Sequence, residues 1–161
     1  MKKIDFDANL SFNSPIGPIG LYSKENKVVH LTIGGDTAAN SGRAKVLDDA
    51  QKQLTKFFAG KTKALTFDVA VNGTAFQESV WHAIEQIGFG QSVSYADIAN
   101  SIGNPKAVRA VGAAVGANPV PLRIACHRVL GSNGSITGYS AGEGITTKRW
   151  LLQHEGVLIA D

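Results

Sequence analysis

The sequence predicts two folded parts. A mixed α/β N-terminal domain, a small sheet plus a helix, spans residues 1–72, and a mainly α-helical C-terminal domain spans residues 73–161. The first part contains β-branched and alternating apolar runs beside one amphipathic helix pattern, whereas the second contains several helix patterns separated by glycines. Of the 161 residues, 43% are hydrophobic and 18% are charged, which is enough apolar material for a core and excludes wholesale disorder.

Composition also excludes membrane-spanning and disulfide-bonded classes. No apolar run approaches the roughly 18–20 residues of a membrane span, and the residues from Met1 to Asp5 predict no signal peptide. The single cysteine, Cys126, excludes an internal disulfide framework and a multi-cysteine zinc site. We therefore expect a cytoplasmic protein.

In the first domain, the β-branched run at residues 28–33 predicts a strand. The alternation of apolar and polar residues over 65–71 predicts a second, half-buried strand. Between the two, an amphipathic helix is predicted to end at Gly60. The apolar face of that helix consists of Leu47, Ala50, Leu54, Phe57 and Phe58.

In the second domain, Thr74 is the predicted N-cap of a first helix, whose apolar positions end at Ile87. Ser94, with Asp97 as its capping-box partner, begins a second helix that Gly103 ends. Asn104 and Pro105 then predict the N-cap and first residue of a third helix. Two short helices joined by a tight glycine turn predict a helix-turn-helix, in a winged-helix-like arrangement.

The third helix combines small residues with cations. Val108, Val111 and Val115 are expected to face the core. The opposite face is expected to carry Lys106, Arg109, Ala110, Ala113 and Ala117. Such a face suits either a narrow groove of nucleic acid or close packing against another helix.

The distribution of charged residues in the second domain also allows two interpretations. No acidic residue occurs between Asp97 and Glu143, although that stretch contains Lys106, Arg109, Arg123 and Arg128. A basic zone without carboxylates suits a phosphate backbone, and chance clustering on a solvated face is the alternative.

A last helix is predicted over residues 144–156. Its final turn contains Glu155, a carboxylate at the negative end of the helix dipole, which is unfavourable unless the side chain turns inward to accept a hydrogen bond.

A lone intracellular cysteine is most often a small buried hydrophobe. Cys126, however, is followed directly by His127 and Arg128, and an adjacent imidazole and cations favour a reactive thiolate.

Together these motifs resemble the O6-alkylguanine-DNA alkyltransferases over residues 73–156, whereas residues 1–72 match only in kind, as the variable ribonuclease-H-like N-terminal domain of that family. The segments that carry the resemblance are Phe76-Gln77, Val80-Trp81, Ser94-Tyr95, residues 104–112, Asn118-Pro119, residues 126–129, Gly138-Tyr139 and residues 148–156.

The resemblance implies DNA repair by irreversible, single-turnover alkyl transfer from guanine O6 to Cys126, without a cofactor or a metal. In that scheme His127 deprotonates the thiol through a water, Glu155 holds the imidazole, and Asn118 braces the network. Tyr95 donates its hydroxyl proton towards guanine N3.

The same resemblance implies a base pocket and a DNA-binding face. Pro121 and Tyr139 wall the pocket, Ser140 contacts O6, and backbone groups around Val129 read the purine edge. The damaged base is extruded from the duplex, and the small-residue helix enters the minor groove, where Arg109 fills the vacated stack. The residues implied in DNA contact are Lys106, Arg109, Ala110, Ala113 and Arg128.

The implied partner is alkylated double-stranded DNA, bound by a monomer without a membrane. The sequence leaves open the preferred alkyl size, activity on O4-alkylthymine and cooperative binding. It departs from the family at Ala125, where a proline is usual, and in the loop 141–147, which is about two residues longer than usual. The N-terminal zinc site of some relatives is not expected, because the first domain contains no cysteine.

Two other function classes compete with the transferase. A non-catalytic lesion-binding or regulatory DNA module is disfavoured by the presence of Cys126, which non-enzymatic relatives lack. A Cys–His hydrolase would need an oxyanion hole, and no sequence feature marks a peptide or ester pocket.

Overall fold

The chain divides into two units, Met1–Val71 and Asn72–Asp161, in the computed structural model, which describes residues 3–159. Met1 and Lys2, where the prediction of no signal peptide begins, lie outside the described residues, as do Ala160 and Asp161. No helix among the described residues is long and apolar enough to cross a membrane.

The first unit is a three-stranded antiparallel sheet with one helix. The strands β1 (Ala8–Phe12), β2 (Ile19–Lys24) and β3 (Lys27–Ile33) are adjacent in sequence order. Helix α1 (Lys45–Phe58) buries Leu47, Leu54 and Phe57. The predicted strand at residues 28–33 and the predicted helix are confirmed. The strands β1 and β2 were not predicted, although the five residues of β1 alternate apolar and polar side chains; in β2, a glycine and polar residues limit the apolar pattern to two positions.

The strand predicted over residues 65–71 is wrong in its extent. This segment touches β3 at a single parallel bridge between Val28 and Val69. The backbone N–H groups of Thr66 and Phe67 donate instead to Gln53 Oε1 of α1, at 2.6 and 3.2 Å. A ladder cannot continue here because a side chain on the helix takes its donors.

The second unit contains four helices and a short pair of strands among its described residues. The helices are α2 (Ala75–Glu85), α3 (Tyr95–Ser101), α4 (Val108–Gly116) and α5 (Ile145–His154), and the parallel strands are β4 (Val93–Ser94) and β5 (Val129–Leu130). Both predicted helix starts are confirmed, since Thr74 and Ser94 each form a reciprocal capping box, with Gln77 and Asp97. A 3-10 turn, Cys126–Arg128, directly precedes β5.

The predicted start of the third helix is wrong. Asn104 C=O accepts the N–H of Ala107 at 3.0 Å and closes an isolated turn. Ala107, with a ψ of 28°, then breaks helical geometry, and α4 begins at Val108. Val108 is 38% exposed rather than buried, and the core face of α4 consists of Val111, Ala114 and Val115.

Candidate active site

The pairing of β4 with β5 brings together segments that are far apart in sequence. Val93 lies opposite Val129, and Ser94 lies opposite Leu130. Tyr95, the first residue of α3, is therefore placed beside the segment that follows Cys126. The short parallel ladder thus gathers the aromatic hydroxyl and the cysteine predicted to react with one substrate into one region of the unit.

The loop between α4 and Cys126 is held by Asn118. Its Nδ2 donates to Ile124 C=O at 2.7 Å, and its Oδ1 accepts the N–H of Val120 at 3.0 Å. Leu122 is buried in the loop with a φ of +76°, a left-handed conformation that is strained for a branched side chain. Asn118 therefore fixes both sides of a turn that leads directly to the cysteine.

Ala125 is the centre of an inverse γ-turn. Its φ and ψ are −79° and 64°, and Cys126 N–H donates to Ile124 C=O at 2.8 Å. This φ lies in the range that a proline ring imposes. The alanine consequently adopts the backbone geometry that a proline at this position would favour.

Cys126 is buried, at 5% exposure. Burial raises the pKa of the thiol, whereas hydrogen bonding with Asn118, the positive charge of Lys148 and hydrogen bonding with Tyr139 lower it; the net pKa is above the ordinary value. The resting group is therefore a thiol at neutral pH, and a base must take its proton before the sulfur can act as a strong nucleophile.

His127 and Glu155 form a buried pair. Nε2 of His127 lies 2.6 Å from Oε2 of Glu155, and both side chains are inaccessible to solvent. Burial raises the pKa of Glu155, but hydrogen bonds from His127 and Arg128 outweigh burial and lower that pKa to about 2. Because an ionised carboxylate only accepts hydrogen bonds, Nε2 donates the proton. Nδ1 is left without a partner among residues 3–159.

Glu155 is the C-cap of α5, so the unfavourable position seen in the sequence is resolved by turning the side chain inward. Burial is the largest influence on the pKa of His127 and lowers it; Glu155 raises it, and the charges of Arg128 and Lys148 lower it further. The net pKa lies below 6.5. The imidazole is consequently neutral at neutral pH and able to accept a proton.

Lys148 is a second charged group in this interior. It is 1% exposed, and its Nζ donates to the backbone C=O groups of Val129 and Thr137 at 2.6 and 3.0 Å. The same Nζ lies 5.8 Å from the centroid of the Tyr95 ring. Burial lowers the pKa of Lys148 to about 8, which keeps the ammonium mostly charged at pH 7.

The residues predicted to form the base pocket differ in how far they are buried. Pro121, Val129 and the hydroxyl of Tyr139 are buried. Burial, the thiolate charge and hydrogen bonding with Cys126 all raise the pKa of Tyr139. Ser140 is exposed, and its Oγ donates to Gly116 C=O at 3.3 Å, which ties the loop after Tyr139 to the end of α4.

The residues predicted on the polar face of the third helix are exposed. They are Lys106, Arg109, Ala110, Ala113 and Ala117. Because the three alanines have small side chains, no bulky group projects from this face beside the two cations.

Arg128, predicted to contact DNA, has its side chain directed inward in this structure. Its guanidinium points into the unit and donates to Glu155 and to Ile87 C=O. Arg123 also has a carboxylate partner, because its Nη1 lies 3.7 Å from Glu85 Oε1. The predicted basic zone is thus smaller than the sequence suggested, since acidic residues outside the stretch neutralise two of its four cations.

The buried ammonium of Lys148 and the inward direction of Arg128 were not predicted from the sequence. A signal for Lys148 was present: it lies three and four residues before Leu151 and Leu152, on the buried face of α5. A lysine on an apolar stripe is expensive to bury unless its ammonium has partners. No comparable local signal existed for Arg128, because its carboxylate partner is 27 residues away.

No group of three or more His, Cys, Asp or Glu within residues 3–159 could hold a metal ion. The reactive groups that the structure brings together here are a thiol, a neutral imidazole oriented by a carboxylate, and a buried ammonium.

Comparisons with known proteins show a family model and several proteins to which this chain is similar. Residues 75–157 match the family model for the 6-O-methylguanine DNA methyltransferase DNA binding domain. A methylated-DNA–protein-cysteine methyltransferase of Methanosarcina acetivorans is 40% identical over 157 residues, which is 90% of this chain and 96% of that protein. The constitutive enzyme of that name from Bacillus subtilis is 38% identical over 153 residues, covering 89% and 92%. A crystal structure of a Mycobacterium tuberculosis protein in complex with DNA has a TM-score of 0.83 at 38% identity, covering 91% of each chain.

Proposed function

The chain belongs to the 6-O-methylguanine DNA methyltransferase family, and we propose that it repairs DNA by moving an alkyl group from guanine O6 to Cys126. The observation that carries this proposal is the buried Cys126–His127–Glu155 arrangement, with Nε2 of the imidazole held at 2.6 Å from the carboxylate. The names of the relatives, methylated-DNA–protein-cysteine methyltransferases, support a cysteine as acceptor and alkylated DNA as substrate.

In the proposed reaction, the thiol proton passes through a bridging water to Nδ1 of His127, and Glu155 stabilises the imidazolium that forms. The sulfur then attacks the alkyl carbon in line, so that an S–C bond forms as the O6–C bond breaks. Tyr95 supplies a proton at guanine N3, which makes the purine a neutral leaving group. The product is a thioether on Cys126, and because nothing in the scheme restores the thiol, each molecule reacts once.

DNA recognition is assigned to the exposed face of α4. Ala110 and Ala113 allow close approach to a minor groove, and Lys106 and Arg109 supply positive charge. A base inside a duplex cannot reach a buried thiol, so the alkylated nucleotide must leave the stack. Arg109 is proposed to fill the space that it vacates. A winged-helix-like arrangement of α3, α4 and β4–β5 is part of this proposal.

The pocket for the extruded base is assigned to Pro121 and Tyr139 as walls, with Ser140 near O6 and the backbone at Val129 facing the purine edge. Ser140 lies in a loop that contacts the end of α4, which supports a pocket continuous with the DNA-binding face. The monomeric state, the cytoplasmic location and the absence of a cofactor stay predictions from the sequence.

Intact-mass spectrometry tests the proposal directly. The protein is incubated with excess duplex that contains one O6-methylguanine, and a mass increment equal to one CH2 group is expected, saturating at one per chain and mapping to Cys126. A duplex with O4-methylthymine in the same assay measures substrate range. An unchanged mass with tight lesion binding would favour a non-catalytic module, and repeated turnover would favour a hydrolase.

The variant Cys126→Ser gives the first mutational prediction. A serine hydroxyl is a far weaker nucleophile than a thiolate, so transfer is expected to fall below detection while affinity for the alkylated duplex is retained. Transfer by this variant at the parental rate would remove Cys126 from the acceptor role. Electrophoretic mobility shift with the same duplex provides the binding control.

A further inference from the structure

Arg128 is enclosed by the second unit. Its side chain is 11% exposed. Nε donates to Oε1 of Glu155 at 2.9 Å and Nη2 donates to Oε2 at 3.1 Å, so the guanidinium grips the carboxylate with two parallel hydrogen bonds. Nη1 donates to Ile87 C=O at 2.7 Å. The guanidinium is thus held by one hydrogen bond to the backbone after α2 and by two to the carboxylate at the end of α5.

The Glu155 carboxylate receives four donors. Oε1 accepts from Arg128 and from the N–H of Gly90 at 3.1 Å, and Oε2 accepts from Arg128 and lies 2.6 Å from His127 Nε2. Gly90 has a φ of +78°, a conformation that glycine adopts without strain. With both oxygens occupied by protein donors, the carboxylate has one orientation, and that orientation fixes the plane of the imidazole.

The charges that face His127 come from several elements. Glu155 and Lys148 belong to α5 and its C-cap, whereas Cys126 and Arg128 flank His127 in its own 3-10 turn. The loop 87–90 contributes only backbone groups and apolar side chains. Glu155 alone would draw a second proton onto the imidazole, and Arg128 is the cation in contact with that carboxylate, which it neutralises.

We propose that Arg128 is a positioning residue for alkyl transfer: its guanidinium fixes the Glu155 carboxylate so that His127 rests as a neutral base protonated on Nε2. This inference rests on the proposed function of Cys126, because the base has a role only if the thiol must lose a proton. The hydrogen bonds of Arg128 go to Glu155 and to Ile87 C=O, not to the thiol.

The wild-type protein gives the first test, by nitrogen NMR of histidine labelled with ¹⁵N. The His127 signals are identified by their loss in His127→Asn, and at pH 7 they are expected to show a neutral ring protonated on Nε2. An imidazolium at pH 7, or a ring protonated on Nδ1, would overturn the proposal. This measurement needs neither DNA nor activity.

Variants give the second test, as single-turnover transfer rates measured from pH 5 to 9. In Arg128→Met the uncompensated carboxylate holds a proton on His127, so the acidic limb of the rate profile is expected to move up by about one pH unit. Arg128→Lys keeps the charge but loses the fork, so the limb should stay within a few tenths of a unit of wild type while the maximal rate falls several-fold. Arg43→Met, which removes an exposed arginine of the first unit, is the matched control.

The outcomes separate this inference from the proposed function. An Arg128→Met profile that is lower at every pH but unshifted would assign Arg128 a merely structural role and overturn the inference. If Arg128→Met does not fold, the wild-type NMR and the Arg128→Lys profile decide. If the wild-type protein transfers no alkyl group, the proposed function fails, whereas the tautomer and charge of His127, compared between the wild type and Arg128→Met, still test the effect of Arg128.

Discussion

At the scale of single residues, the site combines a thiol that burial keeps protonated with groups arranged to make it react. Burial raises the pKa of Cys126, and Lys148 is the charged side chain that lowers it most. A group with an elevated resting pKa is protected from adventitious oxidation and alkylation, since the thiolate is the reactive form. We expect activation to depend on the neutral imidazole of His127 and on the ammonium of Lys148.

Lys148→Met is expected to make the thiol less reactive. Removal of the buried ammonium raises the thiol pKa, and it also leaves the carbonyls of Val129 and Thr137 without a donor, at a cost of about 1–3 kcal/mol each. The pH dependence of Cys126 alkylation by iodoacetamide measures the first effect and thermal unfolding measures the second. Lys52→Met, on the exposed side of α1, is the control; an unchanged profile in Lys148→Met would show that its charge does not act on the thiol.

Ala125→Pro is expected to stabilise the protein. The φ of −79° already fits a pyrrolidine ring, so the substitution removes freedom mainly from the unfolded chain, for a gain of about 0.4–1 kcal/mol. Urea unfolding monitored by tryptophan fluorescence measures the gain. A loss of stability would show that the ring collides with Ile124 or that the Ala125 N–H has a partner. Transfer rates equal to wild type would show that the γ-turn, not the ring, is what the chemistry requires.

At the scale of elements, the fold of the second unit depends on helix starts that the neighbouring residues encode. It also depends on the pairing of β4 with β5, which joins segments far apart in sequence. The capping boxes at Thr74 and Ser94 set where α2 and α3 begin. Trp81 of α2 donates from Nε1 to Ala114 C=O at 2.9 Å, which locks α2 against α4. Because Ala114 and Val111 are the buried side of α4, its alanine-rich opposite side is left exposed.

Arg109→Ala tests the role of that exposed side. The side chain is exposed, so thermal stability is expected to stay within about 0.5 kcal/mol of wild type. If Arg109 replaces the extruded base, repair of O6-methylguanine in a duplex should fall about tenfold or more, because the cost of unstacking is a few kcal/mol. Repair of the free alkylated base should be unaffected. Equal losses on both substrates would contradict the proposed role.

At the scale of the whole molecule, Glu155 links three distant parts of the second unit: the 3-10 turn at Cys126–Arg128, the loop at Gly90 and the end of α5. Because its pKa falls from 4.5 to about 2 on folding, its contribution to stability is complete above about pH 4.5. That contribution, about 3 kcal/mol, is lost as the pH falls towards 2.

Urea unfolding at pH 6 and at pH 3 checks this expectation. The wild-type protein should lose stability between the two values, and Glu155→Gln should show a flatter dependence from a lower starting point, because its amide does not titrate. Glu78→Gln, at an exposed position on α2, should reproduce the wild-type dependence. Parallel wild-type and Glu155→Gln curves would mean that other groups cause the acid sensitivity.

The sequence by itself determined the starts of α2 and α3, the apolar faces of α1 and α2, and the adjacency of Cys126 and His127, from which we predicted a reactive thiol. These features are encoded within one or two turns of chain, where capping, periodicity and adjacency act directly. The inward turn of Glu155 was also foreseeable, since a carboxylate at the end of a helix needs donors to offset the dipole.

Only the tertiary structure decided the remaining features. The strands β4 and β5 have two residues each and pair across 36 positions, too short for any pattern to predict. Arg128 turns inward because donors and acceptors 27 and 41 residues away complete its fork. α4 begins three residues late because a local turn closes first. For the strand pairing and for Arg128, the outcome depends on satisfying polar groups with partners that are distant in sequence, and folding alone brings those partners together.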